Sequence, residues 1–166
     1  MMSTLAIIDD EQEDRQDEML SVLSLTLAGG LFAIETAQVL EVLDDTPLVV
    51  VPNSRPFVRG LLNMRGKVVP VVDLQRLLGM PHGGTVADPL ERRIVVLTLM
   101  AHGEQALVGV LADKVHQVTS LSQTETETIP SVGVGWDVSL IKTIGKDHGA
   151  FIIVLDMEKI ILPLVA

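Results

Sequence analysis

Four histidines, His82, His102, His116 and His148, are the residues best suited to proton transfer or metal binding in this chain. They fall in turns or at polar strand positions, and no two stand at metal-ligand spacing, so solvent-exposed rings are expected. There is no cysteine. That excludes disulfides, thiolate metal sites and a cysteine nucleophile, and fits a reducing compartment. No Gly-x-Ser-x-Gly stretch occurs, so a hydrolase serine lacks its strained elbow. Gly133-Val134-Gly135-Trp136 is a fragment of a dinucleotide fingerprint without its third glycine or its helix, and reads as a turn. Of the acids, Asp73 and Asp156 read as helix caps and Asp44-Asp45 as a turn, while Glu125 and Glu127 belong to a solvated Thr-Glu alternation. These residues predict a protein that is not an enzyme and needs no cofactor or metal.

One residue stands apart. Arg65 lies in a tight turn between Asn63 and Gly66, flanked by apolar strands. Its five rigid donors suit a carboxylate on a neighbouring strand or on a partner.

The elements that hold these residues are mostly strands. Val and Ile number 34 of the 166 residues, and β-branched side chains fit a pleated, half-buried surface. Leu23 to Leu27 alternates, Gly29-Gly30 turns, and Leu31 to Ile34 runs back. Val39 to Leu43 is a third apolar run around Glu41. Leu48 to Val51, among three prolines, reads as an edge strand entering a loop. Val58 to Met64 and Lys67 to Val72 form a hairpin. Asp73 then caps a short helix that Gly79 and Pro81 stop. Ile94 to Leu99 and Leu107 to Leu111 pair around His102-Gly103, and Val115 to Val118 follows. Ile141 to Gly145 and Phe151 to Leu155 pair around Asp147-His148-Gly149, and Asp156 caps a last helix that Pro163 ends.

The order hairpin, lone strand, hairpin, Asp-capped helix thus occurs twice. An offset of 83 residues superposes Val58 on Ile141, Gly66 on Gly149 and Asp73 on Asp156. An offset of 76 superposes Phe32 on Val108 and Val42 on Val118. Two related barrel-like β lobes are expected, roughly 28–90 and 91–150, with terminal segments crossing between them. Grooves between lobes are favoured binding places.

Charge narrows the function further. The net charge is −10, which disfavours nucleic acid or an anionic membrane as partner. Residues 1–18 hold seven acids and one base, Arg15, so −6 sits in what reads as a flexible acidic arm. The four aromatics, Phe32, Phe57, Phe151 and Trp136, provide no stacking platform for bases. No basic-then-apolar leader opens the chain and no uncharged run of about 18 apolar residues occurs, so the chain is expected to be cytoplasmic, without direct membrane insertion.

The stretch from Pro52 through Arg59-Gly60-Leu61-Leu62-Asn63-Met64-Arg65-Gly66 to Val72-Asp73-Leu74 strongly resembles the signature of the chemotaxis coupling protein (CheW-like) family. Ile152 to Ile161 resembles that family's last strand and helix. The resemblance covers about residues 19–163. It implies an all-β fold with short helices, built as two SH3-like five-stranded β-barrel lobes packed together. It also implies a non-catalytic adaptor that couples the cytoplasmic signalling tip of chemoreceptors to the regulatory domain of a CheA-type histidine kinase at membrane receptor arrays. By resemblance, Val39, Glu41, Val42, Gly60, Asn63, Arg65 and Gly66 are expected at the receptor face, and Ile94 and Val95 near the kinase contact. Met64 replaces the family's usual Leu, a swap that conserves volume. Thr36-Ala37 replaces a more apolar pair before Val39. Two other readings remain: a coupler for a chemotaxis-like system controlling pilus motility or gene expression, and a β-barrel that binds a small molecule between its lobes.

Overall fold

In a computed structural model, residues 19–80, 88–122 and 137–165 are described. Ten strands run in chain order: β1 (Met19–Leu27), β2 (Gly30–Glu35), β3 (Val39–Asp44), β4 (Val58–Met64), β5 (Lys67–Val72), β6 (Arg93–Ala101), β7 (Glu104–Ala112), β8 (Lys114–Ser122), β9 (Ile141–Asp147) and β10 (Ala150–Leu155). Among the described residues two α-helices, α1 (Leu74–Leu77) and α2 (Met157–Val165), follow β5 and β10. The expected acidic arm, His82 and Trp136 lie outside the described residues.

The four hairpins share one device. Ala28-Gly29, Arg65-Gly66, His102-Gly103 and His148-Gly149 each place two successive residues at positive φ. A two-residue turn of that hand matches the right-handed twist of its strands. The first turn falls one residue earlier than expected. Gly30 already belongs to β2, opposite Leu27, where a Cβ would stand 2.9 Å from the Phe32 ring. The capping expectation for α1 holds, because the Asp73 side chain accepts from the amides of Gln75 and Arg76. Asp156 Oδ1 likewise accepts from the Lys159 amide at 3.2 Å. Pro163 does not end α2 as expected: the helix continues to Val165. In a last turn, one missing amide donor is tolerated.

The strands form two five-stranded curled sheets, ordered β8-β1-β2-β10-β9 and β3-β6-β7-β5-β4. Advancing every label of the second by five, modulo ten, gives the first. The offsets seen in the sequence are therefore structural. Ala33 pairs with Val154 across the parallel β2·β10 contact, and Gly109 pairs with Val71 in the equivalent β5·β7 contact.

The sheets do not divide the chain near residue 90 into an N-terminal and a C-terminal lobe, as the sequence order suggested. Each half gives a hairpin to the other. One sheet holds β1 and β2 with β8 to β10; the other holds β6 and β7 with β3 to β5. The physical reason is the core. Between the sheets lies a shared apolar layer including Leu25, Leu27, Ile34, Leu97, Val110 and Leu155, closed by Leu74, Met157 and Ile161 of the helices. Each barrel has a smaller interior of its own, around Val22, Leu121 and Ile152 in one and Val69, Ile94 and Val96 in the other.

The second barrel closes through a loop. Leu48 to Val51 is not a strand, but Val49 bridges Leu61 of β4, with N···O distances of 3.0 and 2.8 Å. Leu61 spends its amide and carbonyl on Val49, so it demands nothing of Pro70, its neighbour on β5, and a residue without an amide proton is admissible there.

Candidate functional site: the mouth of the second barrel

The turn between β4 and β5 reaches the far edge of its own sheet. Arg65 Nη2 stands 3.4 Å from Glu41 Oε2 on β3, so the pair ties the two ends of the curled sheet. The Glu41 side chain keeps 32% of its exposure and that of Arg65 79%. An ion pair this wet contributes about 0–1 kcal/mol to stability. Its larger effect is to place a mostly exposed guanidinium beside the Glu41 carboxylate at the barrel mouth.

Two local features set that geometry. Arg65 has φ 53° and Gly66 φ 82°, and Asn63 Oδ1 accepts the Gly66 amide at 3.1 Å, pinning the turn. On β3, pairing with β6 jumps from Val39↔Leu97 to Glu41↔Val96. Leu40 is therefore the extra residue of a β-bulge, which bends the strand and re-aims its side chains. Glu41 follows Val96 toward the barrel mouth, while Leu40 and Val42 stand 49% and 39% exposed. Val68, opposite Asn63 on β5, is 67% exposed. The ion pair thus joins elements that carry exposed aliphatic side chains, the composition of a protein-docking patch with a polar centre.

The residues expected at a receptor face separate into three kinds. Glu41, Asn63, Arg65 and Gly66 come together at the mouth, and Val42 is exposed on the same strand as Glu41. Val39 is half-buried against the shared core. Gly60 is buried. A Cβ there would meet Val49 O at 2.6 Å and Leu48 Cβ at 2.9 Å, so its place is to let the 48–49 segment close the barrel. Leu40 and Val68 were missed because nothing in an apolar alternation marks a bulge or an exposed position on a central strand.

Ile94 and Val95 require a correction. Both side chains have 0% exposure, and β6 is paired on one side with β3 and on the other with β7. Ile94 fills the barrel interior and Val95 the shared layer, so neither reaches a partner. Ile94→Val is expected to cost about 0.5–1.5 kcal/mol in urea unfolding and to leave affinity for any partner unchanged.

Among the described residues, no group of three or more His, Asp or Glu is placed to hold a metal, and no helix is long and apolar enough to cross a membrane. A pocket of about 230 Å³ lies where α2 meets the second sheet, lined by Phe57, Val72, Val108, Ile161 and Leu164, and no strand of the first sheet lines it. Its lining is mainly apolar, and Arg55 is its one charged side chain among the described residues.

The CheW-like domain family matches residues 21–162. The chemotaxis protein CheW of Thermotoga maritima is 30% identical over 141 residues, 84% of this chain and 86% of that protein. Protein PilI of Pseudomonas aeruginosa is 28% identical over 97 residues, 57% of this chain and 49% of that protein. The crystal structure of the scaffolding protein TtCheW from Thermoanaerobacter tengcongensis superposes with a TM-score of 0.69 at 26% identity, covering 82% of this chain and 83% of that one. The family match spans most of the chain and the fold superposes on a solved relative, and the chain belongs to the CheW-like domain family.

Proposed function

We propose that the protein is a non-catalytic adaptor that couples chemoreceptors to a CheA-type histidine kinase in chemotaxis signalling. The observation that carries this reading is the outward Arg65–Glu41 pair, which joins strands that carry exposed Leu40, Val42 and Val68, in a chain of this family. That patch is a docking face without reaction machinery. It suits the helical signalling tip of a receptor, a polar-edged helix with apolar positions. The adaptor then works on the cytoplasmic side, recruited to receptor arrays by its partners.

A coupler needs a second face. The internal repeat supplies one. Val118 and Phe151 on the first barrel are the counterparts of Val42 and Val68, at offsets of 76 and 83, and they are 63% and 53% exposed. Lys146 Nζ stands 5.0 Å from the centre of the Phe151 ring. This face replaces Ile94 and Val95 as the kinase-facing surface. With both partners bound, receptor state changes kinase activity by shifting the relative stability of two arrangements of the assembly.

The test is a two-arm binding measurement with a receptor signalling fragment and the kinase regulatory domain. Phe151→Ser is expected to weaken kinase binding about tenfold, or roughly 1.4 kcal/mol, and to leave receptor binding unchanged. Wild-type protein that binds neither fragment would remove the adaptor reading. The similarity to PilI favours a second reading in the same class, a coupler for a pilus-type system. Comparing receptor fragments from chemotaxis and pilus systems separates the two.

A further inference from the structure

The two lobes carry the same bulge with different consequences. On β9, pairing with β10 jumps from Thr143↔Val154 to Ile141↔Leu155, and the extra residue is Lys142. Its Nζ lies 2.8 Å from Glu35 Oε1 on β2, so the bulge cation is neutralised within the lobe. On β4, pairing with β5 jumps from Val58↔Val72 to Gly60↔Val71, and the extra residue is Arg59, 83 positions before Lys142. The counterpart of Glu35, 76 positions later, is Leu111. The second lobe keeps the cation and lacks its carboxylate.

Arg59 is not alone. With Arg76 and Arg92 it lines a cavity of about 190 Å³ beside Leu111. The two carboxylates in the wall also accept hydrogen bonds from neutral donors. Asp73 Oδ1 accepts the Gln75 and Arg76 amides at 3.0 and 3.4 Å. Asp113 Oδ2 accepts the Ala28 amide at 3.0 Å and Gln75 Nε2 at 2.8 Å. Arg76 Nε is 4.0 Å from Asp73 Oδ2. Among the described residues, Arg59 and Arg92 form no ion pair. Three guanidiniums against two wall carboxylates leave the lining one positive charge in excess, with two of the guanidiniums in no ion pair among the described residues, which favours a carboxylate ligand. It stands out in a body, residues 19–166, whose net charge is −4.

We propose that this cavity is the docking site of the chain's own acidic segment, residues 1–18. Seven carboxylates and one base in eighteen residues complement the cavity in sign. Reach is sufficient. The segment joins β1 at Met19, and the other end of β1 leads to Ala28 at the cavity. Doubling back along that nine-residue strand covers roughly 30 Å. Eighteen extended residues reach up to about 60 Å. Covalent attachment makes the encounter intramolecular, at an effective concentration near the millimolar range, so individually weak pairs suffice.

The absence of cysteine makes the test direct, since Ser3→Cys gives the full chain a single site for a nitroxide label. Paramagnetic broadening of backbone amide signals is expected to centre on residues 59, 76 and 92. It should fall about threefold or more between about 0.05 and 0.5 M NaCl, where the screening length contracts to a few ångströms. It should also vanish in an Arg59→Gln/Arg92→Gln variant. Neutralising the segment instead, with Asp9→Asn, Asp10→Asn, Glu11→Gln and Glu13→Gln, leaves the folded body untouched and should give the same loss. Broadening that is absent, that centres on another surface, or that survives either set of substitutions overturns the proposal.

Discussion

Replacing Arg65 by asparagine is expected to weaken receptor binding at least tenfold while leaving the fold as stable as before or slightly more so. The two effects separate because backbone and side chain of Arg65 have different tasks. Its φ of 53° lies in the left-handed region, which asparagine tolerates better than arginine, and Asn-Gly is the favoured pair for a two-residue hairpin turn. What asparagine removes is the guanidinium fork over Glu41. Arginine is among the side chains that dominate interface energies, and losing one at the centre of a patch costs about 2 kcal/mol or more. Removing the exposed pair with Glu41 costs the fold only about 0–1 kcal/mol. Arg65→Glu sharpens the contrast by setting two carboxylates side by side. Titration against a receptor signalling fragment, with urea unfolding of the same samples, reads both quantities. Undiminished binding by Arg65→Asn would remove Arg65 from the docking face.

Gly60→Ala is expected to be the most destabilising of these substitutions, by about 2–4 kcal/mol. Its φ of 150° disfavours any side chain, and the new methyl would stand 2.6 Å from a backbone oxygen, which cannot swing away. Relief requires the 48–49 segment to retreat, which breaks the Val49–Leu61 bridge that closes the barrel. For a chain of this size the melting temperature should drop by about 4–16 °C. Gly66→Ala is the internal control. Its φ is 82°, but a Cβ there meets nothing within 4 Å, so only backbone strain of about 1–2 kcal/mol remains. If both substitutions cost the same, close approach at Gly60 is not what fixes that residue.

How much of this was legible in the sequence depended on the range of the interaction. Turns and caps are local. His102-Gly103 and His148-Gly149 sat where period-two runs reverse, and Asp73 stood directly before a helical face. The repeat was legible too, because equivalent strands keep equivalent spacing. Which strand pairs with which was not. Period two marks a strand without naming its neighbour, and the β2·β10 contact joins Phe32 to Ile153. The order of the chain suggested a division near residue 90 for the same reason. The burial of Ile94 and Val95 left a signal that resemblance overrode. Ile94-Val95-Val96-Leu97 is apolar on both faces, the pattern of a strand covered on both sides. The Arg65–Glu41 contact was anticipated only as chemistry, a guanidinium in search of a carboxylate, since the curl of the sheet that supplies the partner is not written in either strand.

The exchange of hairpins between the halves also bears on signalling mechanics. Neither half of the polypeptide owns a barrel. Cut between residues 80 and 88, each fragment would hold a hairpin of one sheet and three strands of the other, so neither could close alone. The joint is a lap joint, and the two proposed docking faces lie one on each barrel. They cannot swing on a hinge as independently folded modules would. On the two-face proposal, displacement imposed on one face would pass to the other through the shared core.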